Sequence, residues 1–440
     1  MNKTYDAIVI GGGVAGYYCA RALRQGGQSV ALIEKNSLGG TSLISGALPV
    51  KKILDSFKNN KGNKEEIRKS LLDTWDKNLK ELSKRIINNL MDLGIDIYYG
   101  NGEFLDSKTY EINEDILNTQ YFVIATGTEA ASTPNFVIDN KNIITHKEAI
   151  DIKKLPGKIA ILGGNVEGVE FAALYAEMGV DVVLIEMENN ILFENDRDLV
   201  EPIENYLKSL GVMMITGVRA KEAEINKDSL TIILENGQKI SCDKALTTFL
   251  RKPNFPKGIE NTKIKVDKKK VLVDENLETH EKGIFAIGDI NGVLGMGHVA
   301  IRQGLAVANQ ILNKPKINLD YNLLPRAVFT IPEMAGVGSQ EWELINGNIP
   351  YKVGKSLFQK TWRGWANESK GFVKVLLGKN NDLLGIWMVG ENVSEYIGLL
   401  GMVIKEKRTA DDLISNLIIH PSLSEAIFEA AIQAKKKVIK

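Results

Sequence analysis

Residues 5–34 read YDAIVIGGGVAGYYCARALRQGGQSVALIE, and residues 158–186 read KIAILGGNVEGVEFAALYAEMGVDVVLIE. The two stretches align without a gap, Glu34 falling on Glu186 (186 − 34 = 152 positions on). The apolar runs at 7–10 and 159–162 are short and β-branched, the signature of buried strands. After each come glycines, then apolar residues at i, i+3 and i+4, then a second apolar run that ends in an acid. Each copy therefore reads as a β-α-β unit, and the chain carries two of them.

In the first copy Gly11, Gly13 and Gly16 complete a GxGxxG turn, with Val14 and Ala15 opening the helix. One glycine turns the chain, one lets backbone approach a pyrophosphate, and one packs helix on strand; the helix N-terminus then favours phosphate charge. Glu34, at the end of the second strand, is placed to accept hydrogen bonds from a ribose diol. The strand before the turn, the helix after it and the acid at the right distance together predict dinucleotide binding.

The second copy keeps Gly163, Gly168 and Glu186, but its middle glycine is Asn165 and its helix opens with Glu167. A Cβ at Asn165 stands where a pyrophosphate would touch backbone, and a carboxylate at Glu167 repels it. Either Glu167 occupies the anion site and caps the helix, or it points to solvent and Asn165 adopts a left-handed conformation. If a nicotinamide dinucleotide binds here, Glu186 favours NAD, because it would repel the 2′-phosphate of NADP.

Outward from the repeat, 440 residues of which 44% are apolar are enough for about three domains with packed cores. Lys plus Arg (55) balance Asp plus Glu (55), so no net field exists to hold nucleic acid or an anionic membrane. No run approaches the length of a membrane span and no signal-peptide core opens the chain, which predicts a cytoplasmic protein. The two cysteines, Cys19 and Cys242, lie in apolar-periodic surroundings and read as buried small hydrophobes. With four scattered histidines, no metal site is expected.

Further motifs run along the rest of the chain: GGTSLISGALPVKK at 39–52, YGNGEF at 99–104, VIATGT at 123–128 and RKPN at 251–254. GIFAIGD at 283–289, MGHVAIRQG at 296–304, FTIPEMAGVG at 329–338 and HPSLSEA at 420–426 follow in order. Carried by these, the chain resembles the FAD-dependent pyridine nucleotide-disulfide oxidoreductases, nearest to the dihydrolipoamide dehydrogenases. The resemblance implies an α/β protein with two Rossmann-like dinucleotide-binding domains, of FAD and NAD(P) type, followed by a C-terminal α+β interface domain. It implies an FAD domain from 1–145 and 270–315, an NAD(P)-like domain from 146–269, and an interface domain from 316–440. It further implies a homodimer in which each active site is shared between subunits, acting on a small-molecule substrate.

Residue by residue, the resemblance implies that Asp289 binds the flavin ribityl chain and that Met296, Gly297 and His298 line the isoalloxazine edge. Lys35, Gly40, Thr41, Gly102, Thr126 and Gly127 fall at FAD-contacting positions. Lys51 and Glu170 match an ion pair beside the flavin N5. His420 and Glu425 match a base and the carboxylate that orients it, although Ser422–Glu425 also spell a capping box for the last helix.

The departure that decides function lies at 42 and 47. The family pattern GGTCLNVGCIPSK has its redox cysteines where this chain has Ser42 and Ala47. Neither side chain forms a thiolate, a disulfide or a charge-transfer pair with flavin. The relay from flavin through disulfide to substrate is broken, so ordinary dihydrolipoamide dehydrogenase activity is not expected. A hydride passed straight from flavin to a quinone, oxygen, an activated alkene or carbonyl, or a second nicotinamide is the expected chemistry, with His420 supplying the proton. In the family motif GRxPN the glycine is Leu250 here, a further loss on the nicotinamide side. Three readings follow: an NADH-linked flavoenzyme with a non-thiol acceptor, a flavoenzyme that has abandoned nicotinamide, and a non-catalytic FAD-containing homodimer. KNNKGNKEE at 58–66 reads as a polar loop, and Trp362 with Trp365 as exposed or half-buried packing.

Overall fold

The computed structural model describes residues 1–59, 62–226 and 229–439. They form two compact units. The first comprises 1–52, 65–154 and 249–319, and the second 53–64, 155–248 and 320–440. Within them the fold is the mixed α/β architecture that the sequence implies.

The first unit is built on a seven-stranded sheet. Its parallel centre places Val30–Glu34 and Asp115–Ile124 on either side of Asn2–Ile10, with Asp96–Tyr99 beyond the former and Ile284–Ala286 beside the latter. Alternate residues of the first strand enter different cores, as a pleated strand with both faces covered requires. Ala7 and Val9 join Cys19, Leu23 and Val307 on one face. Ile8 and Ile10 join Phe104, Phe122 and Ile284 on the other. The helix Val14–Gln25 lies against the helix Gly297–Ile311 so closely that a Cβ on Gly304 would fall 2.6 Å from the Ala15 carbonyl oxygen. Nothing larger than glycine fits there, and the contact brings together two helices that both begin at the site described below.

The second unit contains the other glycine turn and a larger antiparallel layer. Its parallel strands run in the order Met213–Ile215, Asp181–Ile185, Lys158–Leu162, Lys244–Thr247. The strand order reverses at Lys158–Leu162, so the crevice between it and Lys244–Thr247 is the topological switch point where such sheets receive ligands. A three-stranded antiparallel sheet, Ala220–Asn226, Ser229–Leu234 and Lys239–Cys242, forms a separate layer.

Residues 320–440 supply a five-stranded antiparallel sheet from Arg326–Val328, Glu333–Gly338, Leu383–Gly390, Gly371–Leu377 and Lys352–Leu357. Trp387, fully buried, fills the space left by Gly336, where a Cβ would meet its ring at 2.1 Å, and its indole donates to Ser339 O. The last helix, Glu425–Lys435, packs on this sheet with Ala430 over Gly354. Lys374, 2% exposed, is held by Asp196, Asp198 and Glu341 at 2.7–2.9 Å. Those three carboxylates raise its pKa against the opposing effect of burial, so the amine stays charged. Three carboxylates around one ammonium repay desolvation that a single partner would not.

The expected loop at 58–66 is shorter than the sequence suggested. Lys58 and Asn59 close the helix Ala47–Asn59, and Lys64–Glu66 already belong to the helix Lys64–Met91; residues 60 and 61 lie outside the described residues. Lys58 is taken up by Asp55 and Glu333, which is why the helix extends into a stretch that reads as polar. Among the described residues no helix is long and apolar enough to cross a membrane.

Candidate active site

The first glycine turn is open. Gly11 has φ of +106°, a conformation that a side chain would strain, and its carbonyl oxygen lies 1.9 Å from where a Gly16 Cβ would stand. Gly13 takes the N-cap position of the helix Val14–Gln25 with no side-chain cap, and a Cβ there would meet nothing within 4 Å. The first-turn N–H groups of that helix are therefore available to an anion. Glu34, 9% exposed, accepts Gly12 N–H at 2.8 Å and Asn36 N–H at 2.8 Å, which fixes the carboxylate at the strand end. Gly39 donates to Gly12 O, and a Cβ on Gly40 would lie 3.0 Å from Gly13 Cα, so the Gly39–Gly40 segment walls the same cradle. Thr41 and Lys35 are exposed beside it.

The GD pair closes the cradle from another segment. A Cβ on Gly288 would come 3.3 Å from Ala15 Cβ, and Gly288 N–H is held by the buried Gln303. Asp289 accepts from Thr128 Oγ1 at 3.3 Å, and Arg251 donates to both Thr128 Oγ1 and Thr128 O. Asn254 donates to Thr126 O and Gly127 O, tying RKPN to VIATGT. Thr126 Oγ1 is buried without a protein partner, beside Gly127, where a Cβ would meet open space. Open helix amides, a glycine cradle and an orphaned hydroxyl fit a dinucleotide such as FAD. Gly102 has a second reason to be glycine, since a Cβ would strike Tyr110 at 2.3 Å. Met296 caps the helix Gly297–Ile311 through backbone alone, and His298 is exposed in its first turn.

Ser42 sits in a wide turn, Thr41–Ser45, and Ala47 opens the next helix, exposed. A Cβ on Gly297 would lie 3.1 Å from Ser42 Oγ, so this hydroxyl rests against the start of the helix Gly297–Ile311. The two cysteines are elsewhere and buried; burial pushes the Cys19 thiol up to about 12 and the Cys242 thiol up to about 11. Neither is a thiolate at neutral pH.

The second glycine turn has the same backbone and a different closure. Gly163 has φ of +112°, a Gly168 Cβ would lie 1.9 Å from Gly163 O, and Glu186 accepts Gly164 N–H at 2.5 Å and Glu188 N–H at 2.9 Å. Asn165, however, caps the helix Val166–Glu177: its Oδ1 accepts Gly168 N–H at 3.0 Å and its Nδ2 donates to Thr248 O at 2.8 Å. Both expectations for this turn need correction. Glu167 is not the cap, because Asn165 is better placed one residue outside the helix, and Asn165 is extended at φ −74°, not left-handed. Glu170 is buried in this helix and accepts Phe329 N–H at 2.9 Å; Lys51 is half-buried in the helix Ala47–Asn59. Leu250 is exposed, and its carbonyl accepts Ala131 N–H.

At the end of the chain His420 Nδ1 and Glu425 Oε1 are hydrogen-bonded. The capping box that the same residues spell does not form. The helix begins at Glu425 with Ser424 as an N-cap that makes no side-chain bond, and Ser422 Oγ is buried without a protein partner. Glu425 has one carboxylate to give, and it goes to the imidazole.

One buried histidine escaped the sequence reading. His146 opens a short helix capped by Thr145 and Glu148, a T-x-x-E signal legible in the sequence, and its ring edge faces the Thr41–Gly46 turn. Burial, then Arg251 and Lys147, push its imidazole down to about 3, so it is neutral at physiological pH. Trp362 and Trp365 are exposed, at 70% and 74%. Among the described residues no group of His, Cys, Asp and Glu could hold a metal ion.

The family model for pyridine nucleotide-disulphide oxidoreductases matches residues 5–304, and the model for their dimerisation domain matches 324–431. The chain belongs to this family. It is an FAD-dependent oxidoreductase of the dihydrolipoamide dehydrogenase-like kind, and the family uses FAD and NAD(P)H. The dihydrolipoyl dehydrogenase of Bacillus subtilis is 31% identical to it over 472 residues, spanning 100% of both chains. That of Geobacillus stearothermophilus is 31% identical, covering 97% of this chain and 95% of its own. Among solved structures, the HOCl-induced flavoprotein disulfide reductase RclA from Escherichia coli superposes with a TM-score of 0.88 at 25% identity, covering 97% of this chain and 99% of that one.

Proposed function

We propose that this chain passes a hydride between NAD(H) and a small non-thiol acceptor, with His420 as the acid/base. The observation that carries the reading is the pairing of a lost relay with a kept proton donor: Ser42 and Ala47 stand where thiols would be, while Glu425 still engages His420. The acceptors that suit this chemistry are quinones, oxygen, activated alkenes or carbonyls, and a second nicotinamide.

Bound FAD would supply the two-electron carrier through which the hydride passes. Gly13, Gly16, Gly40, Glu34, Thr126 and Asp289 would hold it, with Lys51 and Glu170 setting the charge near its ring. Glu425 holds His420 through Nδ1, which leaves Nε2 to meet an acceptor. Reduction of a quinone or carbonyl by one hydride calls for one proton, and His420 delivers it from Nε2 to the acceptor oxygen. Ser42 offers that oxygen a hydrogen bond where a thiolate would have offered electrons.

The match to the dimerisation domain supports a homodimer. His420 has 65% of its side chain exposed in the single chain, and Leu399, Met402, Leu417 and Ile419, within the stretch that the dimerisation model matches, expose apolar surface too. A partner subunit covering that surface would complete the site. We assign the FAD domain to 1–145 and 270–315, the NAD(P)-like domain to 146–269 and the interface to 316–440, and the location to the cytoplasm.

His420→Ala should slow NADH-dependent reduction of a quinone by about a hundredfold and leave flavin content unchanged. Wild-type turnover in that variant would remove His420 from the mechanism. A second reading, a flavoprotein that does not use nicotinamide, is favoured by Asn165 and Glu167 in the second glycine turn and by Leu250. NADH that fails to bleach the flavin at any concentration would select it.

A further inference from the structure

The second glycine turn differs from the first in one side chain that spans its crevice. The strand Lys158–Leu162 has its neighbours Asp181–Ile185 on one side and Lys244–Thr247 on the other, so a dinucleotide entering this unit must lie over the gap towards Thr248. Asn165 bridges that gap. Its Oδ1 takes the Gly168 N–H at the helix start, and its Nδ2 is bound to Thr248 O at the end of the neighbouring strand. Thr248 is in turn stitched back to the first strand, Oγ1 donating to Leu162 O at 3.0 Å and approaching Gly163 O at 3.3 Å. The glycine framework of the turn is otherwise that of the first: the positive-φ Gly163, the close-packed Gly168 and the Glu186 carboxylate repeat the geometry of Gly11, Gly16 and Glu34.

We infer that Asn165 is a bolt across the nucleotide crevice, a specificity-determining residue that must swing out before a pyrophosphate can reach the helix. A pyrophosphate and the Asn165 amide compete for the same helix end. Binding therefore breaks two internal hydrogen bonds before it makes any, and affinity for every dinucleotide falls, whatever its 2′ group. Glu186 still ranks NAD above NADP, but both are held below the affinity of an open turn. The inference rests on reading residues 158–248 as the nicotinamide side of the proposed function.

The test is equilibrium binding of NADH to the full-length flavoprotein, followed by quenching of protein fluorescence, for wild type, Asn165→Ala and Asn165→Gly. Glycine is well tolerated at an N-cap, so the unit should fold, and an unchanged flavin spectrum and melting temperature verify it. Asn165→Gly should tighten NADH at least about tenfold, as expected from removing two modest hydrogen bonds that oppose binding. Asn165→Ala, which also breaks both bonds but keeps the Cβ, should tighten it by a smaller factor. Equal or weaker binding in Asn165→Gly overturns the bolt. Tightening in Asn165→Gly with none in Asn165→Ala also overturns it, because the Cβ and not the amide would then be the obstacle. If NADH binds Asn165→Gly tightly yet leaves the flavin oxidised, the bolt stands and the NADH-linked function falls.

Discussion

The glycine turns at 11–16 and 163–168 have one backbone and two fates. Each begins with a glycine at positive φ, packs its last glycine under a carbonyl at the same 1.9 Å would-be contact, and ties its turn to the acid at the end of the next strand. They part at the middle position. Gly13 leaves the helix amides uncapped, whereas Asn165 caps them and reaches across to Thr248. The close contacts that shape the backbone are kept in both. Of the three glycine positions of the turn, only the middle one differs between the two copies.

Transplanting the difference is the most severe way to break this comparison. Gly13→Asn should bring the self-capped geometry to the first turn and yield protein with less than about a tenth of the wild-type flavin per chain, read from the visible spectrum, because a capped helix end forfeits its charge-assisted bonds to phosphate. Full flavin content in this variant would mean that the middle residue does not control access. The roughly hundredfold loss expected for His420→Ala comes next, and it sharpens the contrast by showing that the second unit kept its proton chemistry while its glycine turn closed. Glu425→Gln should cost less, about tenfold, since Glu425 orients the imidazole without touching the acceptor.

Ser42→Ala is expected to change turnover by about fivefold or less, the value of one neutral hydrogen bond. A larger loss would make Ser42 a principal group in the reaction. A separate effect, outside the redox chemistry, concerns acid stability in the first unit. His146 is neutral when folded, with its pKa pushed down to about 3, while an unfolded histidine titrates near 6.5. Between those values the unfolded chain binds more protons, so stability rises with pH across this window and is lost as pH falls through it. Urea midpoints measured from pH 6.5 down to 4 should fall more steeply for wild type than for His146→Asn; parallel slopes would assign the acid sensitivity to other groups.

The fold was legible because its determinants are local and repeated. Short continuous apolar runs, glycines at fixed spacing and a closing acid appear twice, so one turn explains the other. The first glycine turn was legible for the same reason, whereas Thr126, Gly127 and Asp289 came into view only through the family resemblance. What the sequence left open were choices between two uses of one side chain. Glu425 could serve Ser422 or His420, and spacing suits both; only the folded chain shows the carboxylate on the imidazole. Asn165 reaches Thr248, 83 residues away, a contact no local pattern announces. His146 lies in a capping motif that predicts its helix but not its burial beside the Thr41–Gly46 turn.

The most direct test of the account is an anaerobic absorbance titration of the purified flavoprotein with NADH, followed by addition of lipoamide and then of a quinone. The account predicts a flavin that bleaches only at high NADH concentration, stays bleached when lipoamide is added, and recovers its colour with the quinone. Recovery on lipoamide alone would contradict it, since a chain with Ser42 and Ala47 has no dithiol through which that disulfide could take electrons.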